Sequence, residues 1–201
     1  MAMQDKFFIR EASPEDAPFI GETVTGALGR ELCINLADGE QNLPTVLKLF
    51  TDLAEMPDAQ YSFANTLVAT DADGNYVGAI ICYDGSGLHE MRKAFIHKAN
   101  ELLGWGISEE DAENWEDETH PGEVYIDSLY VVPSWRRRGV ASALIAAAIE
   151  LHKGAGKPFG ILVEPNNDTA YNLYTHLGFK EDGVNSFCGE PMKHLTLRNE
   201  N

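Results

Sequence analysis

The chain has 201 residues, 44% of them hydrophobic and 23% charged, with a formal net charge of −17. That length suits one domain with a substantial core. The acidity argues against general nucleic-acid binding, which needs a basic face, and fits either simple solubility or a cationic ligand. Three cysteines (Cys33, Cys82 and Cys188) lie far apart without CxxC spacing. They argue against a disulfide framework and a thiolate zinc site, and for a reducing cytoplasm. No apolar run approaches the roughly 18 residues of a membrane helix. The opening MAMQDKFFIR has too short an apolar stretch, with Asp5 before it, for a signal peptide.

In chain order, Phe7–Arg10 predicts a first strand. Ser13-Pro14-Glu15-Asp16 supplies an N-cap, a proline and first-turn acids for a helix running to Leu28. A second helix is expected over Leu43–Leu53, with Val46, Leu47 and Phe50 on its apolar side. Thr66–Thr70 and Tyr76–Tyr83 predict two strands of a hairpin, joined by Asp71-Ala72-Asp73-Gly74. Residues 86–121 interrupt this rhythm as a helical, acidic insertion in the single domain 1–201. Met91, Ala94, Phe95, Lys98 and Leu102 mark an amphipathic helix there. Glu109, Glu110, Asp111, Glu113, Glu116, Asp117 and Glu118 follow it. Such a run is either a solvated surface or a wall that attracts a cation.

From Val124 the pattern becomes α/β. Val124–Val132 reads as a strand buried on both faces. A helix over Gly139–Lys153, closed by Gly154, and a strand over Phe159–Glu164 follow. Strand, helix, strand implies a parallel pair with a right-handed crossover. Asn166-Asn167-Asp168 caps a short helix that ends at Leu177-Gly178. Phe179–Lys180 and Phe187–Leu197 then complete the sheet as a hairpin.

Arg136, Arg137 and Arg138 stand at the start of the Gly139 helix, where the helix dipole disfavours cations. A loop leaving a strand and entering a helix presents successive amides to an anion. Bound phosphate would make the arginines favourable; the alternative is that they extend into solvent. The pattern is neither a nucleotide P-loop nor a GxGxxG fingerprint.

Two stretches, LYVVPSWRRRGVASALI and EPNNDTAYNLYTHLGFK, resemble the GNAT superfamily of acyl-CoA-dependent N-acyltransferases. The first is similar to that family's Arg/Gln-x-x-Gly-x-Gly/Ala loop, the second to its strand–Asn–helix–LY–GF segment. The resemblance covers residues 123–182 well, the front third only in element order, and residues 86–121 not at all. It implies an α/β fold of about seven mixed, mostly antiparallel strands, the fourth and fifth a central parallel pair splayed into a V, with helices on both faces. It further implies acetyl-CoA as co-substrate, its arm paired with free backbone groups of Leu129 and Val131. The pyrophosphate would rest on Arg137, Arg138, Gly139, Val140, Ala141 and Ser142, entered through Arg136, with Asn167 contacting the arm.

Acetyl transfer to an amine needs a base for an ammonium of pKa near 10 and an acid for the departing thiolate. Ala170, Leu173, Tyr174 and Leu177 share one helix face, so the Tyr174 ring points inward. It is a buried core tyrosine by itself; with the family match it is the expected acid and a cofactor contact. Glu123, Tyr125 and Asp127 alternate onto one strand face. Asp127, deep in an apolar strand, is either a base with a raised pKa or a structural aspartate, and the choice between Asp127 and Glu123 stays open. A backbone amide near Leu129 is the expected oxyanion donor. The histidines show no metal-ligand spacing, and no metal is expected. Trp105, Trp115 and Trp135 line an acceptor pocket or simply pack.

The expected function is therefore acetyl transfer from acetyl-CoA to a cationic small-molecule or peptide amine by direct attack in a ternary complex. A non-catalytic acyl-CoA-binding module and an O-acyl or longer-chain acyltransferase are the alternatives. No nucleic acid or membrane partner is expected, and a homodimer is allowed for.

Overall fold

The computed structural model describes residues 6–198. Residues 1–5, part of the N-terminal stretch read above as lacking a signal peptide, lie outside them, as do 199–201. In order, the elements are β1 Phe7–Glu11, α1 Ala17–Ala37, α2 Leu43–Ala54, β2 Thr66–Asp71, β3 Tyr76–Asp84, α3 Leu88–Leu103, α4 Glu109–Glu113, β4 Val124–Val131, α5 Val140–His152, β5 Phe159–Val163, α6 Asp168–His176, β6 Lys180–Phe187 and β7 Glu190–Leu197.

Local chemistry explains the ends of these elements. Buried Asp16 takes the Ser13 amide at 2.7 Å, both Arg10 guanidinium nitrogens at 2.6 and 2.7 Å, and the Tyr76 hydroxyl at 2.5 Å. The turn that starts α1 is thereby tied to β1 and β3. The helix runs past Leu28 to Ala37, but Gly29 (φ 79, ψ 162) breaks it into two segments. Leu28 is thus the end of the first segment and not of the helix. At the far end of α5, a short turn at Lys153–Ala155 carries the chain to Gly156, whose φ of 65 makes it the left-handed stop in place of Gly154.

The sheet order is β1-β2-β3-β4-β5-β7-β6, all antiparallel except β4 beside β5. The hairpin of β2 and β3 turns on Asp71–Gly74 as its residues predict. The last hairpin differs: Phe187 closes β6, and the turn is Cys188-Gly189, with φ of 53 and 81. Two successive positive φ values give the two-residue turn whose twist suits a hairpin.

One face of the sheet packs Ile81, Tyr83 and Tyr125 against α1, α2 and α3. The other packs Ile80, Cys82, Val124, Ile126 and Phe159 against Val140, Leu144 and Ala148 of α5 and Tyr174 of α6. Burial of β4 on both faces explains its unbroken apolar run. Among the described residues no helix is long and apolar enough to cross a membrane.

Glu123, at the base of β4, is sandwiched against β5. A Cβ added at Gly160 would stand 2.2 Å from its carboxyl carbon, and that carboxylate is held on three sides. Gly160→Ala should therefore destabilise the fold by about 1–3 kcal/mol through overpacking, measured as a lowered midpoint in urea unfolding.

Candidate active site

The register of β4 sets the site. At its start the Val124 amide donates to the Pro158 carbonyl, and the Glu123 carbonyl accepts from Gly85. Even-numbered residues therefore face β5 and odd ones β3. Ile126 still pairs with Cys82, but Ser128 pairs with the next residue, Ile81, so Asp127 is the extra residue of a bulge. Beyond it the phase is inverted, and the Val132 amide donates to Val77 of β3. Ser128 and Tyr130 now face β3, while Leu129 and Val131 turn their backbone groups towards β5. There β5 has gone: its pairing with β4 ends at Ile126–Ile161. The backbone of Leu129 and Val131 thus borders a wedge-shaped gap.

At the mouth of the gap the chain makes a left-handed step at Arg137 (φ 60) and again at Gly139 (φ 84) before α5. The amides of Arg137 and Gly139 have no backbone acceptor among the described residues. Those of Val140, Ala141 and Ser142 are first-turn donors of a 13-residue helix. Nothing lies within 4 Å of a Cβ built on Gly139, so the cradle is open to an anion. All three arginines are exposed, and contacts anchor two of their side chains. Arg136 Nε donates to the Val131 carbonyl at 3.1 Å, with its guanidinium 5.9 Å from the Tyr130 ring. Arg138 lies 5.3 Å over Trp135, whose edge meets Phe7. Trp135 therefore belongs to this corner and not to an acceptor pocket, and the Val131 carbonyl is partly engaged by Arg136. Exposed Asn167 uses its Oδ1 to cap α6 through the Ala170 amide at 3.0 Å.

The two carboxylates of β4 have separate surroundings. Glu123 is buried; it accepts from Thr119 Oγ1 at 2.8 Å and the His120 amide at 3.0 Å, and pairs with His194 Nε2 at 3.1 Å. Burial pushes its pKa up, but His194, His120 and Thr119 outweigh that and hold it below the usual range. It is a structural anion with its oxygens engaged. Asp127 lies deep among other atoms yet keeps some accessible surface. Burial, with the charge of Glu118, raises its pKa to about 6 against opposing bonds from Tyr83, Gln60 and Ser128. The Tyr83 hydroxyl donates to it at 2.7 Å, and Gln60 Nε2 sits 3.0 Å from it and 2.8 Å from Glu118.

Tyr174 lies in the core on the opposite face of the sheet, packed on Phe179, and burial pushes its hydroxyl to about 12. Burial first, and then the charges of Asp127, Glu118 and Glu123, push the Tyr125 hydroxyl well above its usual range.

Beside Asp127, with Gln60 as the shared wall, lies a cavity of about 480 Å³. Leu28, Leu32 and Leu36 of the broken α1, Phe95 of α3, Trp105, Trp115 and the Phe187–Gly189 turn enclose it. The acidic run divides here. Glu110, Asp111 and Glu113 are exposed, and Asp117 pairs with Arg92 and His89. Among the described residues of the run, Glu116 and Glu118 reach the cavity, with Glu118 held by Arg92 at 2.5 Å. Gln60 and Tyr83 carry no sequence signal for their part; Glu118 was hidden in the run.

Residues 40–179 match the sequence model of the Acetyltransferase (GNAT) family. A mouse thialysine N-epsilon-acetyltransferase is 35% identical over 83 residues, 37% of this chain and 48% of that protein. The chain thus spans about half the length of this curated relative. A crystal structure of an acetyltransferase superposes with a TM-score of 0.70 at 25% identity, covering 96% of this chain and 100% of that one. An N-acetyltransferase from Staphylococcus aureus Mu50 gives 0.71 at 23%, covering 94% and 100%. The paiA N-acetyltransferase of Thermoplasma acidophilum, solved with coenzyme A, gives 0.57 at 14%, covering 94% and 98%.

A carboxyl whose pKa rises on folding weakens the fold once it ionises. Below the unfolded value of 3.8 Asp127 exacts no such cost; the cost grows as pH climbs and is complete above about 6. Asp127→Asn should therefore leave stability at pH 4 unchanged and raise it by about 2–3 kcal/mol at pH 7.5. Thermal melts at the two pH values test this; an equal effect at both would contradict it.

Proposed function

The chain belongs to the GNAT acetyltransferase family, and on that premise we propose that it transfers the acetyl group of acetyl-CoA directly to an amine held in the aromatic cavity. The observation that carries this is the gap beyond Ile126–Ile161, where free strand backbone leads from an open anion cradle to a half-buried carboxylate. Its residues suit an acyl-CoA. The amides from Arg137 to Ser142 would hold the pyrophosphate, the backbone of Leu129 and Val131 would pair with the arm, and Asn167 would line its path. Acetyl-CoA supplies an activated acyl thioester.

Asp127 then takes the acceptor's proton, directly or through a water, so that the nitrogen attacks as a neutral amine. Tyr83 and Gln60 fix the carboxylate for this. The Leu129 amide offers a hydrogen bond where negative charge develops on the carbonyl oxygen. Tyr174, protonated at every working pH, presents its O–H to the departing sulfur from the other face. A cysteine acyl-enzyme is disfavoured. Cys33 and Cys82 are buried, the latter's thiol pushed up to about 12. Cys188 borders the cavity; the residue is exposed, but the cover on its sulfur and the nearby Glu118 raise its thiol pKa.

Initial rates with acetyl-CoA and a panel of amines, read by thiol release, test this assignment. kcat/KM should fall about tenfold per pH unit below the Asp127 pKa of about 6. Asp127→Asn should lose about 10²–10⁴-fold in rate. Tyr174→Phe should lower kcat with CoA binding unchanged, and Gly139→Asp should remove CoA binding. Full activity in Asp127→Asn, or tight CoA binding by Gly139→Asp, would refute it.

A further inference from the structure

The cavity beside Asp127 has walls of aromatic edges and a single charged corner. Phe95 lies 5.7 Å from Trp105 and 6.5 Å from Trp115, and the two tryptophans are 6.3 Å apart, all inclined to one another. Tyr61 meets Phe95 at 6.1 Å on the inner side. Such rings supply apolar surface and attract one cation placed against their faces. In the corner, Glu118 is almost fully buried, shares Gln60 with Asp127, and is paired by buried Arg92. With Glu116, the charged side chains of the cavity lining sum to one net negative charge; Asp127 stands outside the lining behind Gln60, and Asp117 outside it, paired with Arg92.

Resting on the transfer reading above, we propose that the acceptor is a monocationic primary amine on an aromatic or similarly bulky apolar body, its ammonium directed by Glu118. The charge balance decides against a polyamine: its further ammonium groups would be stripped of water against indole and phenyl rings without counter-charges. A volume of about 480 Å³ suits one small molecule with most of its surface covered. The ammonium at Glu118 stands one side chain, Gln60, from the carboxylate that takes its proton. The body of the acceptor fills the space between Trp105 and Trp115.

Cys188 reports occupancy without any turnover. It is exposed in the turn that borders the cavity, whereas Cys33 and Cys82 are buried. The full chain is alkylated with N-ethylmaleimide, and modification of Cys188 is followed by mass spectrometry in the presence of 2-phenylethylamine, 2-phenylethanol or spermidine. 2-Phenylethylamine should slow modification about tenfold at concentrations where spermidine does nothing. Its advantage over the neutral alcohol should vanish in Glu118→Gln. Trp115→Leu, a second variant outside the charged corner, should weaken protection by amine and alcohol alike. In the transfer assay, 2-phenylethylamine should exceed spermidine at least tenfold in kcat/KM. Equal or better protection by spermidine, or none by 2-phenylethylamine, overturns the proposal. Protection without acetylation would sustain this pocket and sink the transfer reading; preferred turnover of spermidine would do the reverse.

Discussion

One inserted residue governs the centre of this molecule. Because side chains and backbone groups of a strand alternate with period two, an extra residue exchanges the partners of everything beyond it. Asp127 is that residue in β4. Without it, Ser128 and Tyr130 would face β5, and Leu129 and Val131 would spend their amides on β3. With it, the backbone groups of Leu129 and Val131 point into the space that β5 leaves after Ile161, the Val131 carbonyl partly engaged by Arg136. The bulge also sets the Asp127 carboxylate at the neck of the gap. The proposed binding groove and the proposed proton acceptor therefore trace to a single irregularity.

The gap also resolves a geometric difficulty. Asp127 stands on the face shared with Tyr83 and Gln60, whereas Tyr174 belongs to the core on the opposite side. A continuous sheet would separate them. On the proposed mechanism, the place where β4 and β5 part is where groups from the two faces would meet, a base at the attacking amine and an acid at the leaving sulfur.

The same corner answers why so acidic a chain places three arginines at a helix start. The first is drawn to the Val131 carbonyl and the Tyr130 ring, the third lies over Trp135. Both side chains are thus held by contacts with their neighbours. Backbone, not guanidinium, makes the cradle. Sequence alone showed this much, since a strand, an arginine run, a glycine and an alanine-rich helix are each punctuated locally. It showed α6 and Tyr174 as well, through Asn167 and Gly178. It could not show the bulge: an apolar run buried on both faces carries no alternation from which a phase shift can be read. Nor could it single out Gln60, in an irregular loop without periodicity, or separate Glu118 from the solvated Glu110, Asp111 and Glu113. Those distinctions come from tertiary contacts across 58 and 67 positions of chain, between Gln60 and each carboxylate.

That bridge gives the site a further property. The pKa of Asp127 is raised chiefly by burial and then by the negative charge of Glu118. On the proposed occupancy, an arriving ammonium sets its positive charge against Glu118 and cancels part of that second effect. Asp127 then releases its proton more readily with the acceptor bound than without it. The carboxylate that must be ionised for transfer is thus least stable as an anion when the cavity is empty and better stabilised when the cavity is filled. A base placed in open solvent would gain nothing of the kind, because water already screens such charges from one another. Partial burial, which weakens the fold at neutral pH, is what allows the substrate's own charge to prepare the group that deprotonates it.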